Sequence, residues 1–191
     1  MSYNKPKLKR IPEGRSGHFS VIHRYHPHLY FNGKYIRYTG AMLIDNETMW
    51  MSDGSEERST MSSAVRWCPN NVDVLIGGLG LGIVPRWLES KSNTITIVEF
   101  SRDVINLVYD YIKTPKMNII HDDIENYLIN TVNNFDFIYL DTWADLDPSR
   151  LNEIVYLKNL AQKILKNDTD CVICWGENVV RKAAAEQKDK V

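Results

Sequence analysis

An apolar run that ends in three alternating glycines constrains the fold of this chain more than any other feature. The run starts at Val72 and leads into Gly78, Gly80 and Gly82, and a helix-like segment follows over residues 83–90. A buried strand that turns at once into a helix is typical of open α/β sheets, which bind ligands beyond the carboxyl ends of their strands. Glycines permit the tight turn and let a ligand approach the backbone. The pattern predicts a ligand site at this turn.

The spacing of the glycines differs from the usual dinucleotide motif. Gly-x-Gly-x-x-Gly would need its third glycine at the position of Ile83, whereas this loop is Gly-x-Gly-x-Gly. A second β-branched strand, residues 94–99, ends in Glu99, 21 positions after Gly78 (99 − 78). An acid at the end of the second strand is well placed to accept hydrogen bonds from both hydroxyls of a ribose. The two strands together predict a nucleoside site.

Further strands and helices alternate after Glu99, which predicts an α/β fold with a parallel sheet and a site along one of its edges. Asp122 and Asp123 follow the third strand, and Asp141 follows the fourth. The predicted strands are residues 117–121, 135–140 and 171–175, and the predicted helices are residues 101–112, 150–166 and 177–190. We expect this α/β domain to span residues 55–191.

The region before residue 55 shows a different pattern. Residues 1–17 are basic and are expected to form a tail, and residues 18–54 predict short antiparallel strands. Asn32-Gly33 between two apolar segments is a strong hairpin signal, and a second turn is expected at residues 45–47. A helix is expected over residues 56–67. The chain is therefore predicted to carry a small N-terminal β-hairpin region before the α/β domain.

The net charge, the length of the apolar runs and the cysteine content limit the classes of binding partner and the cellular compartment that we expect for this protein. The net charge of −1 (23 basic minus 24 acidic residues) provides no field that attracts nucleic acid, and no apolar run is long enough for a membrane helix. We therefore expect neither a nucleic-acid nor a membrane partner. Three cysteines and no secretory signal indicate the cytoplasm, and Cys171 and Cys174 are expected in the core. His23, His26 and His28 lack companion acids or cysteines, so no metal site is expected.

The whole arrangement resembles the class I S-adenosylmethionine-dependent methyltransferase superfamily, and within it the spermidine synthase-like branch. The glycine loop, the acid at Glu99 and the hairpins before an acidic helix start at residues 55–58 carry the resemblance. It implies a Rossmann-like sheet in the order 3-2-1-4-5. Because only 16 residues follow Trp175 (191 − 175), terminal strands 6 and 7 are expected to be missing. The exposed edge of strand five would then be covered either by the hairpins or by a second subunit, and the second alternative implies a homodimer.

The resemblance also implies a role for each motif residue. Gly78, Gly80 and Gly82 would line the methionine and ribose part of S-adenosylmethionine or its decarboxylated form, and Glu99 would bind the ribose hydroxyls. Phe100 would lie near the adenine ring. The remaining implied residues are Asp123 as acceptor from the adenine amino group, Ile124 as backbone N–H donor to the ring, and Asp141 as the group that positions and deprotonates the acceptor.

Each of these roles has a simpler structural alternative. The glycines also suit close helix–strand packing, and Glu99 also suits a solvated strand end. Asp122 or Asp123 also suits an N-cap of the following helix. Asp141 also suits a loop carboxylate without a catalytic role, and Trp143 either covers the cofactor or belongs to the core.

Two departures from spermidine synthases set the functional hypotheses. The glycine loop has Leu79 and Leu81 where those enzymes carry an aspartate, and residues 59–62 replace their Tyr-His pair. The leading hypothesis is therefore S-adenosylmethionine-dependent transfer, most simply of a methyl group, to an unidentified small-molecule acceptor. The alternatives are an aminopropyltransferase with an altered acceptor site and a non-catalytic nucleoside-binding or assembly protein.

Overall fold

The structure, a computed structural model, describes residues 10–31, 34–143, 145–167, 169 and 171–188. It contains two β-sheets, one antiparallel and one parallel, and the helices that follow or connect the strands. The fold class is the predicted one, an α/β fold with a separate antiparallel hairpin sheet. No helix among the described residues is long and apolar enough to cross a membrane.

The antiparallel sheet is formed by four strands that neighbour one another in chain order. They are β1 (Gly14–Ser16), β2 (Phe19–Phe31), β3 (Lys34–Asp45) and β4 (Thr48–Ser52). The expected turn between β3 and β4 is present, with Asn46 at φ 53°. The expected hairpin turn at residues 32–33 lies outside the described residues.

The predicted basic tail is shorter than expected within the described residues. Residues 14–16 belong to β1, which pairs with β2 through Ser16 opposite Phe19. Ile11 is only 2% exposed and belongs to the core. The charge pattern suggested a tail because one apolar side chain and a three-residue strand are too short to give a periodic signal.

The predicted helix over residues 56–67 is two short helices, α1 (Ser55–Thr60) and α2 (Ser62–Trp67), which meet at Met61. Hydroxyl side chains flank the junction. The Oγ1 of Thr60 donates to the carbonyl of Glu57, and the Oγ of Ser62 donates to the carbonyl of Ser59. Such local bonds compete with the regular backbone ladder, which explains the break.

The second sheet is parallel throughout. Its strands are β5 (Val72–Gly77), β6 (Ser92–Glu99), β7 (Met117–His121), β8 (Phe137–Leu140) and β9 (Cys171–Cys174). Across the sheet they lie in the order β7-β6-β5-β8-β9. This places the first strand of the sheet in the centre, with the second and third on one side and the fourth and fifth on the other.

Helices follow the strands of the parallel sheet as predicted, with small differences at their ends. They are α3 (Ile83–Leu88), α4 (Arg102–Ile112), α5 (Ile124–Asn130), α6 (Leu151–Gln162) and α7 (Glu177–Lys188). Ser101 caps α4 by accepting from the N–H of Val104. Asp147 caps a single 3₁₀ turn, residues 148–150, that precedes α6.

The register brings three strand ends together at one edge of the sheet. Gly77 at the end of β5 is opposite Val98 of β6 and Leu140 of β8. The N–H of Gly78 donates to the carbonyl of Val98 over 2.8 Å, and the N–H of Asp141 donates to the carbonyl of Gly77 over 2.9 Å. The glycine loop, Glu99 and Asp141 therefore start from the same point.

The two sheets share one hydrophobic cluster. Phe19 and Leu43 of the antiparallel sheet belong to the same buried group as Val74 and Ile76 of the parallel sheet. Because this cluster spans both regions, the domain boundary that we expect between residues 54 and 55 stays a prediction. Cys174 is buried and Cys171 is partly buried, and both are free thiols, as expected for core residues.

The cover of strand β9 differs from the expectation. Within the described residues the hairpins form their own sheet and do not pair with β9. Helix α2 packs against this strand instead. Just beyond β9, the indole N–H of Trp175 donates to the Oγ1 of Thr60 over 2.9 Å. A covering second subunit remains a prediction.

Candidate functional site

A cavity of about 650 Å³ opens at the carboxyl ends of β5, β6 and β8. The antiparallel sheet forms part of its wall through Phe19, Trp50 and Met51. The cavity is as large as typical small-molecule sites, which range from roughly 300 to 1,000 Å³. Its walls come from both sheets, from the glycine loop and from the residues that follow β6, β7 and β8.

The glycine loop has a backbone that side chains would disturb. Gly78, Gly80 and Gly82 have φ values of 95°, 48° and 65°. A Cβ at Gly78 would overlap the carbonyl oxygen of Asp141, and one at Gly80 would overlap the Sδ of Met51. Gly78 and Gly80 line the cavity, whereas Gly82 packs against Ile112. Gly82 therefore fits the simpler alternative of close helix packing.

Two side chains hold this loop from outside. The N–H of Leu81 donates to the Sδ of Met51 over 3.1 Å. The guanidinium of Arg86 donates to the carbonyls of Gly82 and Leu81 over 2.8 and 3.0 Å. Sequence reasoning missed Met51, because its contact with the loop depends on how the antiparallel sheet docks.

Glu99 is half-buried at the end of β6, and both of its carboxylate oxygens accept from backbone. The N–H of Leu79 donates to Oε2 over 2.7 Å, and the N–H of Ser101 donates to Oε1 over 2.8 Å. Loss of water contact raises the pKa of Glu99, and hydrogen bonds from the N–H groups of Leu79, Ser101 and Gly80 oppose that rise. Glu99 therefore shapes the glycine loop in addition to facing the cavity.

The predicted adenine end of the cavity contains Phe100, Asp122, Asp123 and Ile124. The Phe100 ring is 74% exposed, an unusual exposure for a large apolar side chain next to a cavity. Asp123 caps α5, because its Oδ1 accepts from the N–H groups of Glu125 and Asn126. The capping alternative is therefore realised at Asp123, the residue that was also assigned to the adenine amino group.

Asp141 lies at the opposite end, next to a second carboxylate. Loss of water contact and the nearby Glu57 carboxylate raise the pKa of Asp141 to about 7, and the Tyr139 hydroxyl acts in the opposite direction. Glu57 is held in place, since its Oε2 accepts from the N–H and the hydroxyl of Ser52 over 2.6 and 2.9 Å. Two neighbouring carboxylates suit a cation in the cavity.

Tryptophans form the wall beside Asp141. Trp143 is 5% exposed, lines the cavity and belongs to the hydrophobic core. Its indole N–H donates to the carbonyl of Trp175 over 3.2 Å. Trp143 therefore belongs to the core and borders the cavity, and its role in covering a cofactor stays a prediction.

The structure brings most of the predicted site residues to one cavity. The predicted residues that line it are Gly78, Gly80, Glu99, Phe100, Asp123, Ile124 and Asp141. Glu57 and Tyr139 also line it and were not predicted. Glu57 lies in the acidic helix start, which was a usable signal, whereas Tyr139 occupies an apolar strand and gave none.

Metal binding receives no support from the geometry. Among the described residues, no three histidine, cysteine, aspartate or glutamate side chains are grouped to hold an ion. The Nε2 of His23 lies 2.7 Å from the carbonyl of Ile11. The side chains of His26 and His28 lie outside the described residues.

Comparison with solved structures identifies the class of fold. The N-methyltransferase NodS from Bradyrhizobium japonicum WM9 matches with a TM-score of 0.53 and 16% identity, over 70% of this chain and 83% of NodS. A putative S-adenosylmethionine-dependent methyltransferase from Streptococcus mutans matches with a TM-score of 0.56 and 13% identity, over 82% of this chain and 45% of that protein. The protein has the fold of class I S-adenosylmethionine-dependent methyltransferases.

A more particular likeness extends over nearly the whole chain. Spermidine synthase from Thermotoga maritima matches with a TM-score of 0.62 and 18% identity, and the match covers 95% of this chain. This chain spans 63% of that enzyme's length. No family model matches the chain, and no curated protein sequence matches it either.

Proposed function

We propose that the protein transfers a group from S-adenosylmethionine, or from its decarboxylated form, to a small acceptor, most simply a methyl group to an amine. One observation carries this proposal. A single cavity has Glu99 at its β6 end and the acid pair of Asp141 and Glu57 at its β8 end, with the glycine loop between them. The first end suits a nucleoside and the second suits a cationic acceptor.

The residues of the first end fit a sulfonium nucleoside. Gly78 and Gly80 present backbone without side chains to the cavity, and the Glu99 carboxylate, which lines the same cavity, would accept from the ribose hydroxyls. The exposed ring of Phe100 offers a stacking surface for adenine. The Oδ2 of Asp123 is the oxygen that the helix cap leaves for the adenine amino group.

The second end supplies orientation and a base. When bound, the nucleoside presents an electron-poor carbon next to its positively charged sulfur. Asp141 and Glu57 would pair with the protonated amine and draw it into the cavity. Asp141 would take one proton from the bound ammonium, and the lone pair freed on nitrogen would then form the new N–C bond while the electrons of the broken C–S bond stay on sulfur. Alignment of acceptor and donor carbon is the main contribution that such a site makes.

Aminopropyl transfer is the second candidate. The acid pair at Asp141 and Glu57 and the extent of the likeness to spermidine synthases favour it. Leu79 and Leu81 oppose it, because the glycine loop then carries no acid for the ammonium end of a decarboxylated donor. A non-catalytic nucleoside-binding protein would use the first end of the cavity alone.

Calorimetry with four nucleosides separates these functions. S-adenosylmethionine, decarboxylated S-adenosylmethionine, S-adenosylhomocysteine and methylthioadenosine are titrated into the purified protein. Binding of the first and third supports methyl transfer, and preference for the second and fourth supports aminopropyl transfer. Glu99→Ala should abolish binding, whereas the matched control Glu186→Ala, at an exposed position on α7, should leave it unchanged. Absence of binding by all four would contradict the proposal.

A further inference from the structure

One buried tyrosine at the acceptor end is unexplained by packing alone. Tyr139 is 0% exposed, and its hydroxyl has no hydrogen-bond partner at ordinary distance among the described residues. A buried hydroxyl without a partner costs free energy that phenylalanine at the same position would avoid. Tyr139 and Asp141 both line the cavity. The position therefore points to a role beyond core packing.

Strand geometry places Tyr139 and Asp141 on the same side of the sheet. Successive side chains of a strand alternate between faces, so residues 139 and 141 lie on the same side where β8 ends. The two groups are close enough to affect each other: the Asp141 carboxylate contributes, after burial, to a raised pKa of Tyr139, and the Tyr139 hydroxyl lowers the pKa of Asp141. Tyr139 is thus a donor within reach of this carboxylate.

The neighbouring acid has donors of its own. Glu57 on α1 accepts from the N–H and the hydroxyl of Ser52. The titratable groups that act on Asp141 are Glu57 from α1 and Tyr139 from β8, and Cys174 from β9 acts on Tyr139. Glu153 on α6 lines the same cavity. The Tyr139 hydroxyl acts on Asp141, the other acid of the pair.

We propose that Tyr139 is a positioning residue whose hydroxyl donates a hydrogen bond to the ionised Asp141 carboxylate and holds that charge at the acceptor end of the cavity. This inference rests on the proposed function, because the proposed reaction requires Asp141 as an anion. Glu57 repels the charge of Asp141, and Tyr139 compensates for that repulsion. Removal of the hydroxyl should leave Asp141 protonated over a wider range of pH.

A direct titration tests the pairing without any substrate. ¹³C NMR of protein labelled at its aspartates measures the titration midpoint of the Asp141 carboxyl, whose signal is assigned with Asp141→Asn. The measurement is made in the unchanged protein, in Tyr139→Phe and in Glu57→Gln. Tyr139→Phe should raise the midpoint by about one pH unit, a tenfold change in the ionisation constant. Glu57→Gln should lower it, because the repelling charge is gone. A Tyr139→Phe midpoint equal to that of the unchanged protein would overturn the inference.

Tyr127→Phe is the matched control. Tyr127 on α5 is also buried, at 8% exposure, and its hydroxyl also has no hydrogen-bond partner among the residues that the structure describes, but it lies outside the cavity lining. Its replacement should leave the Asp141 midpoint unchanged. Phenylalanine keeps the ring in both variants, and urea unfolding checks that both remain folded. Equal shifts in the two variants would indicate a general packing effect and overturn the pairing.

Kinetics then separate this inference from the proposed function. If the protein transfers a group to an amine, the rising limb of kcat/KM against pH should move upward in Tyr139→Phe by the same interval as the carboxyl midpoint. The affinity for S-adenosylmethionine should not change. A shifted midpoint in a protein without transfer activity would support the Tyr139–Asp141 pair while contradicting the proposed function, and an unshifted limb in an active enzyme would contradict the pair.

Discussion

Two half-buried carboxylates face the same cavity from neighbouring strands, yet their surroundings are opposite. Glu99 at the end of β6 accepts backbone N–H donors on both oxygens. Asp141 after β8 faces the carboxylate of Glu57 and the hydroxyl of Tyr139. An acid already bound by its own backbone stabilises a loop, whereas an acid next to another acid is stabilised when it takes up a proton or binds a cation. The groups around each carboxylate therefore distinguish the loop-stabilising role of Glu99 from the proposed catalytic role of Asp141.

The strongest test of this contrast is the loss of turnover in Asp141→Asn. The amide keeps the shape of the side chain but takes up no proton, so turnover should fall by about 10²- to 10⁴-fold, the usual contribution of a general base. Nucleoside affinity should be retained in calorimetry. Asp145→Asn, at an exposed position on the same loop, is the matched control and should be fully active. Equal losses in both variants would remove Asp141 from the proposed chemistry.

The second test is the pH dependence of stability. The pKa of Asp141 is raised from 3.8 to about 7 in the folded protein, so the unfolded chain loses this proton first as pH rises. Asp141 therefore costs stability progressively between about pH 4 and pH 7. Asp141→Asn removes that cost, and its advantage in free energy of unfolding should grow by about 3 kcal/mol from pH 5 to pH 8. Urea unfolding at both pH values measures it, and a constant difference would contradict the raised pKa.

At the other acid, Glu99→Gln should act on stability and nucleoside affinity together. A glutamine amide offers one acceptor oxygen, so either the N–H of Leu79 or that of Ser101 then faces an NH₂ group. The free energy of unfolding should fall by about 2 kcal/mol, the cost of a polar group left without its partner. Glu186→Gln on α7 is the control. Weakened binding at unchanged stability would mean that Glu99 serves the ligand and not the loop.

The smallest expected effect separates the two roles of Asp123. Asn is as good a helix cap as Asp, so Asp123→Asn should preserve stability, whereas Asp123→Ala should cost about 1 kcal/mol. The Asn side chain would turn its NH₂ group toward the adenine amino group, and nucleoside affinity should fall. Thermal unfolding and calorimetry on both variants check this. Unchanged affinity in Asp123→Asn would leave Asp123 as a cap alone.

The parallel sheet was predictable because its strands carry a local signal. Residues 117–121 and 171–174 are apolar runs between turns, and the structure has strands there. The acids Glu99 and Asp141 were predictable for the same reason, since each follows its strand directly. Short segments could not be predicted from the sequence, as β1 at residues 14–16 and the helix break at Met61 show. Three residues, or a few local hydroxyl bonds, are too little for a periodic pattern.

The contacts that complete the site lie beyond local patterns. Met51 approaches Gly80 from the antiparallel sheet, and Glu57 approaches Asp141 from α1. Both contacts depend on how distant segments pack, and only Glu57, in the acidic helix start, had a local signal. Tyr139 lies within an apolar strand, so the sequence alone predicts only that its ring belongs to the hydrophobic core.

The sulfur contact between Met51 and the glycine loop has a consequence for dissecting this protein. The loop that would hold a nucleoside takes a hydrogen-bond partner from β4, and the two sheets share one hydrophobic cluster. A fragment starting at Ser55 would expose that cluster and leave the N–H of Leu81 without its acceptor. The glycine loop therefore cannot be isolated from the antiparallel sheet, which supplies one of its hydrogen-bond acceptors and part of the cavity wall.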